Sequence, residues 1–149
     1  MSDEFKPISE ILVPMDFSSH SMGALEYAKR IAAPIGARLH LLYVDDDPML
    51  IASTTDQSFR DQHSETMAKK FVGLMPQSQL DQFRVLELIR FGTAYYEIEN
   101  YAAEEEIDLI VMGYVGRSIV SKVLLGSVAS HMIRHSPCPV LTVREPASA

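Results

Sequence analysis

Three of the chain's seven glycines, Gly113, Gly116 and Gly126, lie within one short stretch that directly follows the apolar run 109–112. A residue without a Cβ atom can take a positive φ angle and bring its backbone close to a ligand. Glycines after a buried strand therefore predict main-chain amides that face a bound group. A helical pattern that starts near Ser127 adds amide donors and the positive end of a helix dipole. The stretch predicts an anion site suited to phosphate.

Two widespread nucleotide-binding motifs are absent from the sequence. No Gly-x4-Gly-Lys-(Ser/Thr) run occurs, and the spacing of Gly113 and Gly116 does not form Gly-x-Gly-x2-Gly. A P-loop NTPase and a dinucleotide-dependent dehydrogenase are therefore disfavoured. Two cations lie near the glycines, Arg117 and Lys122. Each can contact a phosphate or form part of a solvated loop face.

The chain's size and charge limit its classes of partner. With 149 residues it fits one domain, in which we expect residues 1–8 and 145–149 to be loosely ordered. A formal net charge of −7 argues against nucleic acid and anionic membranes as partners, since both require a basic face. The single Cys138 cannot form an internal disulfide, and no run of about 18 apolar residues occurs, so we expect a cytoplasmic protein.

Apolar runs alternate with helical patterns along the chain. The runs that predict strands span residues 11–14, 39–44, 83–89, 109–112 and 140–143. A first helix is expected to begin at Ser18 or Ser19 and to end at Gly36. A second helix is expected to end at Pro76, and a third to follow Gly92.

This order of elements predicts the fold class. We expect a single doubly wound α/β domain with a five-stranded, mostly parallel sheet in the order 3-2-1-4-5, right-handed crossovers and helices on both faces. In such sheets ligands bind outside the carboxyl ends of the strands, where the strand order reverses. That position would set Asp16, Val44 and the glycines around one cleft. Asp16 can also be simply the acid of a strand-to-helix turn.

Two polar groups are alternatives for metal binding. Asp45, Asp46 and Asp47 follow the second predicted strand and can form a Mg²⁺ site or begin a solvated loop. His131 and His135 have a spacing that can chelate zinc, but the residues between them lack the glutamate of a metalloprotease motif. We assign no catalytic residue and no metal-binding residue.

The glycine spacing also resembles a known family. Gly113-x2-Gly116-x9-Gly126-Ser127 is similar to the nucleotide-binding signature of universal stress proteins, as are the tail 126–144 and the run 11–18 near the front. Family members that bind ATP usually carry a small hydroxylated residue and then a basic one between the first two glycines, where this chain has Tyr114 and Val115. The residues for which the resemblance implies nucleotide contacts are Pro14, Met15, Asp16, Val44, Met112, Gly113, Gly116, Arg117, Gly126, Ser127 and Val128.

The resemblance implies a function as well as a fold. It implies a regulatory module of the stress response that binds ATP, or ADP or AMP, with or without Mg²⁺. An interaction protein with a vestigial cleft and a slow ATP hydrolase remain alternatives. The last predicted strand, Val140–Val143, is expected at the sheet edge, where an apolar strand invites pairing, so we expect a homodimer across it.

Overall fold

The computed structural model describes residues 5–48, 57–115 and 125–144. The strands are β1 (Glu10–Met15), β2 (Arg38–Asp45), β3 (Leu86–Phe91), β4 (Leu109–Gly113) and β5 (Val140–Val143). The helices of the described ranges are α1 (Ser19–Ile35), α2 (Gln57–Phe71), α3 (Gln77–Gln82), α4 (Ala94–Glu104) and α5 (Ser127–His135). None of these helices is both long enough and apolar enough to cross a membrane.

The five strands form one parallel sheet in the order β3-β2-β1-β4-β5, which confirms the predicted topology. In the central strand, Ile11 pairs with Leu39 of β2 on one side and with Leu109 of β4 on the other. Ile11, Leu12 and Val13 have no exposed surface. The continuous apolar run of β1 thus reflects a strand that is covered on both faces.

Helices cover both faces of the sheet, as predicted. On one face, Val13 packs in a core with Leu25 of α1 and with helix α2. On the other face, Leu12 packs with Ile98 of α4 and Met132 of α5.

The ends of α1 follow the signals in the sequence. The side chain of Ser18 accepts a hydrogen bond from the Ser21 amide at 3.2 Å, which satisfies one of the unpaired donors of the first turn. Gly36 takes the left-handed conformation with φ 67°, and its amide donates to the carbonyl of Ala32. Both predicted helix boundaries are confirmed.

Two boundaries differ from the prediction. Helix α2 ends at Phe71, and Pro76 is the cap that precedes α3 rather than the end of α2. Strand β3 begins at Leu86 instead of residue 83, because Phe83 ends α3 and Arg84 turns the chain with φ 47°. Apolar Phe83 is buried in the core rather than in the sheet. The run 83–89 therefore combines a helix end with a strand.

The carboxylate of Asp108 fastens the segment before β1 to the start of β4. It accepts hydrogen bonds from the amide and hydroxyl of Ser9, at 2.9 and 3.0 Å, and from the amide of Glu10 at 2.9 Å. Nζ of Lys6 lies 3.1 Å from Oδ1 of the same carboxylate. Burial acts to raise the pKa of Asp108, but the hydrogen bonds from Ser9, Lys6 and Glu10 outweigh it, and the pKa is lowered.

A buried histidine joins β1, β2 and α4. Nδ1 of His40 lies 2.7 Å from the hydroxyl of Tyr101, and Nε2 lies 2.6 Å from Oε2 of Glu10. Burial raises the pKa of Tyr101 to about 12, so its hydroxyl keeps the proton and can donate to Nδ1. In the neutral ring Nε2 then carries the proton and donates to Glu10.

Candidate functional site

A cleft opens at the carboxyl edge of the sheet, where β1 and β4 lie side by side. It encloses about 670 Å³ of empty space, part of it open to solvent. The predicted site residues that line it are Pro14, Met15, Asp16, Val44, Met112, Gly113, Gly126, Ser127 and Val128. The other two, Gly116 and Arg117, lie outside the described residues. The fold therefore brings together every predicted site residue that the structure describes, while their contacts with a ligand remain a prediction.

Six further residues line the same cleft and were not predicted: Ser21, Leu42, Ala94, Ile98, Val115 and Ala129. Leu42 and Val44 lie two positions apart on β2 and so share a face, which the strand period could have indicated. Ala94 and Ile98 lie one turn apart on α4 and share a face in the same way. Which face of α4 meets the sheet is decided by tertiary packing, and no local signal marks it.

The inner part of the cleft is apolar. Met112 is 4% exposed, and Leu42, Ile98 and Val115 are also buried. These side chains come from β2, from the end of β4, from helix α4 and from the loop after β4. We call this apolar part of the cleft the slot; it suits an apolar group, whereas the first turn of α5 beside it is polar main chain.

Asp16 serves the strand-to-helix turn and also lines the cleft. Its Oδ1 accepts hydrogen bonds from the amide of Ser18 at 3.0 Å and from the hydroxyl of Ser18 at 2.5 Å. Its own amide donates to the hydroxyl of Ser21 at 3.4 Å. These bonds fix the carboxylate at the edge of the cleft. The two interpretations of Asp16, a turn acid and a cleft residue, therefore apply together.

Gly113 does not have the positive φ angle that was predicted, and its small size has a cause that the sequence did not indicate. Its φ angle is not among the positive ones, which belong in the described chain to other glycines and to Phe17, Arg84 and Glu106. A methyl group at Gly113 would lie 2.9 Å from Cβ of His20 and 3.0 Å from the His20 carbonyl carbon. Gly113 is thus small because the first turn of α1 packs directly on it.

Gly126 also has an ordinary backbone conformation, with φ −63° and ψ 155°, and it caps α5. Its amide donates to the carbonyl of Tyr114 at 2.9 Å, so that amide is not directed to a ligand. The first intrahelical bond is from Ser130 to the carbonyl of Gly126. The amides of Ser127, Val128 and Ala129 therefore have no acceptor within the helix, and these are the donors that α5 offers to the cleft.

Comparison with known proteins identifies the family. A family model described as "Universal stress protein family" matches residues 7–144. The chain belongs to the universal stress protein family. Among curated members, this universal stress protein is 28% identical to universal stress protein MJ0531 of Methanocaldococcus jannaschii over 144 residues, which cover 92% of this chain and 82% of the relative.

Solved structures of the family share the fold. The structure of protein MJ0577 of Methanocaldococcus jannaschii has a TM-score of 0.77 and 27% identity, with 95% of this chain and 99% of that chain covered. A universal stress protein in complex with cAMP has a TM-score of 0.62 and 23% identity, with 94% and 99% covered. A universal stress protein family protein of Arabidopsis thaliana with AMP bound has a TM-score of 0.58 and 18% identity, with 93% of each chain covered.

The residue after Val44 faces away from the cleft in this universal stress protein. Asp45 is buried on the opposite face of β2, where Oδ2 lies 2.5 Å from Nε2 of His63 on α2 and Oδ1 accepts the amide of Asp47 at 3.0 Å. The contact between Asp45 and His63 therefore joins β2 to α2. Within residues 5–48, 57–115 and 125–144 no group of three potential metal ligands occurs.

The histidine pair on α5 is engaged with α4. Nε2 of His131 lies 3.1 Å from Oε2 of Glu99, and its ring stacks on Tyr95 with a centroid distance of 4.2 Å. The ring of His135 lies 4.6 Å from that of His131. These contacts give His131 a role in packing the two helices together.

Proposed function

We propose that this universal stress protein binds an adenine nucleotide in the cleft, with ATP as the favoured ligand, and acts as a regulatory module in the stress response. The observation that carries the proposal is the position of the apolar slot directly beside the first turn of α5. A purine base fits the slot, and the amides of Ser127, Val128 and Ala129 suit a phosphate. Mg²⁺ can accompany the phosphates.

The affinity must be shared between the two parts of the cleft. The dipole at a helix end contributes about 0.3–1 kcal/mol, and about 2 kcal/mol in a partly buried geometry. Micromolar binding requires about 8 kcal/mol. Most of the free energy therefore has to come from amide hydrogen bonds to the phosphates and from burial of the base in the slot. The two proteins of the same fold with cAMP or AMP bound support an adenine ligand at the level of the fold.

The chemistry of the cleft favours binding over turnover. Of the described residues that line it, Asp16 alone has a carboxyl or imidazole group, and its Oδ1 already accepts two hydrogen bonds from Ser18. A hydrolase needs a group that orients or deprotonates the attacking water. A steady release of phosphate at about 1 per second or faster would show that the protein is an ordinary enzyme instead.

The slot is tested by filling it. Ala94 lines the cleft from the first turn of α4, so Ala94→Phe should occupy part of the slot and weaken binding of a fluorescent ATP analogue at least tenfold. Ala103→Phe on the same helix is the matched control, since Ala103 is exposed and does not line the cleft. Equal affinity in both variants would contradict a base in the slot, and wild-type affinity weaker than millimolar would contradict nucleotide binding.

The phosphate end is tested by removing one amide. Ser127 is the first residue of α5, a position where proline is well tolerated, and the extended backbone of Gly126 before it is compatible with a following proline. Ser127→Pro removes the amide proton and the hydroxyl, whereas Ser127→Ala removes only the hydroxyl. We expect Ser127→Pro to bind ATP about tenfold more weakly than Ser127→Ala, because a hydrogen bond to a charged group contributes about 1.5–3 kcal/mol. Equal affinities would show that this amide does not contact phosphate.

We propose a homodimer across β5 and residence in the cytoplasm. Strand β5 lies at the edge of the sheet, and Leu141 is 38% exposed there. A lysine at position 141 should weaken an edge-to-edge dimer, which light scattering at several concentrations measures. A wild-type protein that is monomeric at high concentration would contradict the dimer. The single cysteine fits a reducing compartment.

A further inference from the structure

The thioether side chain of Met112 lies in the apolar part of the cleft. Met112 is the residue before the end of β4, lines the cleft and packs in the same core as Leu42 and Ile98. A small molecule that enters the cleft therefore meets this side chain, whereas the side chain of Met15 packs in the core on the other face of the sheet. Methionine is the residue there that a two-electron oxidant can convert into a polar one.

We propose that Met112 is an oxidation site through which a peroxide switches off ligand binding in the cleft. The proposal rests on the nucleotide binding proposed above and adds a means of regulating it. The sulfur atom donates an electron pair to one oxygen of hydrogen peroxide. The S–O bond forms as the O–O bond breaks, and the departing hydroxide takes the remaining proton to give water. Sulfur is oxidised to the sulfoxide and the peroxide is reduced.

The surroundings explain why the sulfoxide should abolish binding. The neighbours of Met112 in the slot include Leu42, Ile98 and Val115, which offer no side-chain hydrogen-bond donor. A sulfoxide oxygen there needs water or a polar partner, and a purine base would displace water without replacing that partner. The sulfoxide is also bulkier than the thioether in a well-packed site. Both effects oppose the bound state, and we expect ATP affinity to fall at least tenfold.

Other methionines provide internal controls. Met67 and Met75 are each 4% exposed, which matches Met112, but they belong with Met15 to the core on the other face of the sheet, and neither Met67 nor Met75 lines the cleft. Cys138 is a poor competitor for peroxide, because burial raises the pKa of its thiol and so disfavours the reactive thiolate.

The site is tested by oxidation with and without a ligand. The protein is treated with hydrogen peroxide alone and with saturating ATP, and peptide mass mapping measures the addition of one oxygen at each methionine. We expect ATP to slow oxidation of Met112 at least tenfold and to leave the rates at Met67 and Met75 unchanged. Equal protection at all three positions, or none at any, would overturn the assignment of the site.

The switch is tested by binding. Oxidised wild-type protein should bind ATP at least tenfold more weakly than untreated protein, and methionine sulfoxide reductases should restore the affinity. The variant M112L is compared with its own untreated form and should lose less than twofold on the same treatment. ATP binding that persists when Met112 is a sulfoxide would refute the switch alone, as would an equal loss in the variant. Failure of untreated wild-type protein to bind ATP would instead refute the proposed function itself.

Discussion

Replacing Gly113 with alanine is expected to push the first turn of α1 away from β4. The added methyl carbon would lie 2.9 Å from Cβ of His20, 3.0 Å from its carbonyl carbon and 3.2 Å from its carbonyl oxygen. Carbon atoms that are not bonded prefer a separation of about 3.5–4.0 Å. The obstructing atoms belong to the backbone and the base of a side chain, so no rotamer change can relieve the contact.

The size of the effect follows from this overlap. An extra methyl group forced into a packed interior costs about 1–3 kcal/mol. For proteins of about 150–250 residues, each kcal/mol lowers Tm by about 2–4 °C. We therefore expect Gly113→Ala to lower Tm by about 2–12 °C. Urea unfolding followed by circular dichroism measures the free energy, and an unchanged m value shows that the loss is one of stability.

Gly23 provides a control, because its replacement with alanine should raise the free energy of unfolding rather than lower it. Gly23 lies inside α1, and a methyl group there would meet no atom within 4 Å. Glycine in a helix interior is less favourable than alanine by about 0.5–1 kcal/mol, so Gly23→Ala should stabilise the protein by about that amount. If Gly113→Ala proved as stable as the wild type, or gained stability as Gly23→Ala does, the packing explanation for Gly113 would be refuted.

Three further predictions concern buried polar groups. Tyr101→Phe leaves Nδ1 of His40 without its donor, and urea unfolding should show a loss of about 1–3 kcal/mol. His63→Ala removes the partner of Oδ2 of the buried Asp45 carboxylate, so a similar loss of about 1–3 kcal/mol is expected, together with faster proteolysis within α2. The pKa of Asp108 is lowered on folding, so its stabilisation is present above the unfolded value of about 3.9 and is lost as the pH falls from there towards the folded pKa. Asp108→Asn should therefore flatten the acid limb of the stability curve, and an unaltered limb would contradict this account.

Much of the fold could be predicted because its signals are local or follow general rules. The apolar runs marked the strands, and Ser18 and Gly36 marked the ends of α1 through cap chemistry. The strand order and the position of the cleft follow from the rules of doubly wound sheets. The predicted site residues met in one cleft for this reason, since they lie at the carboxyl ends of strands or at the start of α5.

Other features depend on contacts between distant parts of the chain and had no local signal. Gly113 faces His20, which is far away in sequence, and its small size looked like a requirement of backbone conformation or ligand approach. Ala94 and Ile98 belong to the cleft because of how α4 packs on the sheet. The whole run 83–89 was predicted to be a strand because its apolar residues do not distinguish the end of a short helix from the start of β3.

Two main-chain hydrogen bonds of Tyr114 join the start of the glycine-rich segment to β5 and to the residue before α5. The amide of Tyr114 is bonded to the carbonyl of Val143 at 2.8 Å, and its carbonyl accepts the amide of Gly126 at 2.9 Å. Tyr114 and Gly126, which begin and end the intervening stretch, therefore lie next to each other. A flexible loop between two fixed ends costs only about 0.6 kcal/mol more for each doubling of its length. Residues inserted between Tyr114 and Gly126, in the laboratory or in evolution, should therefore leave the sheet and α5 in their places.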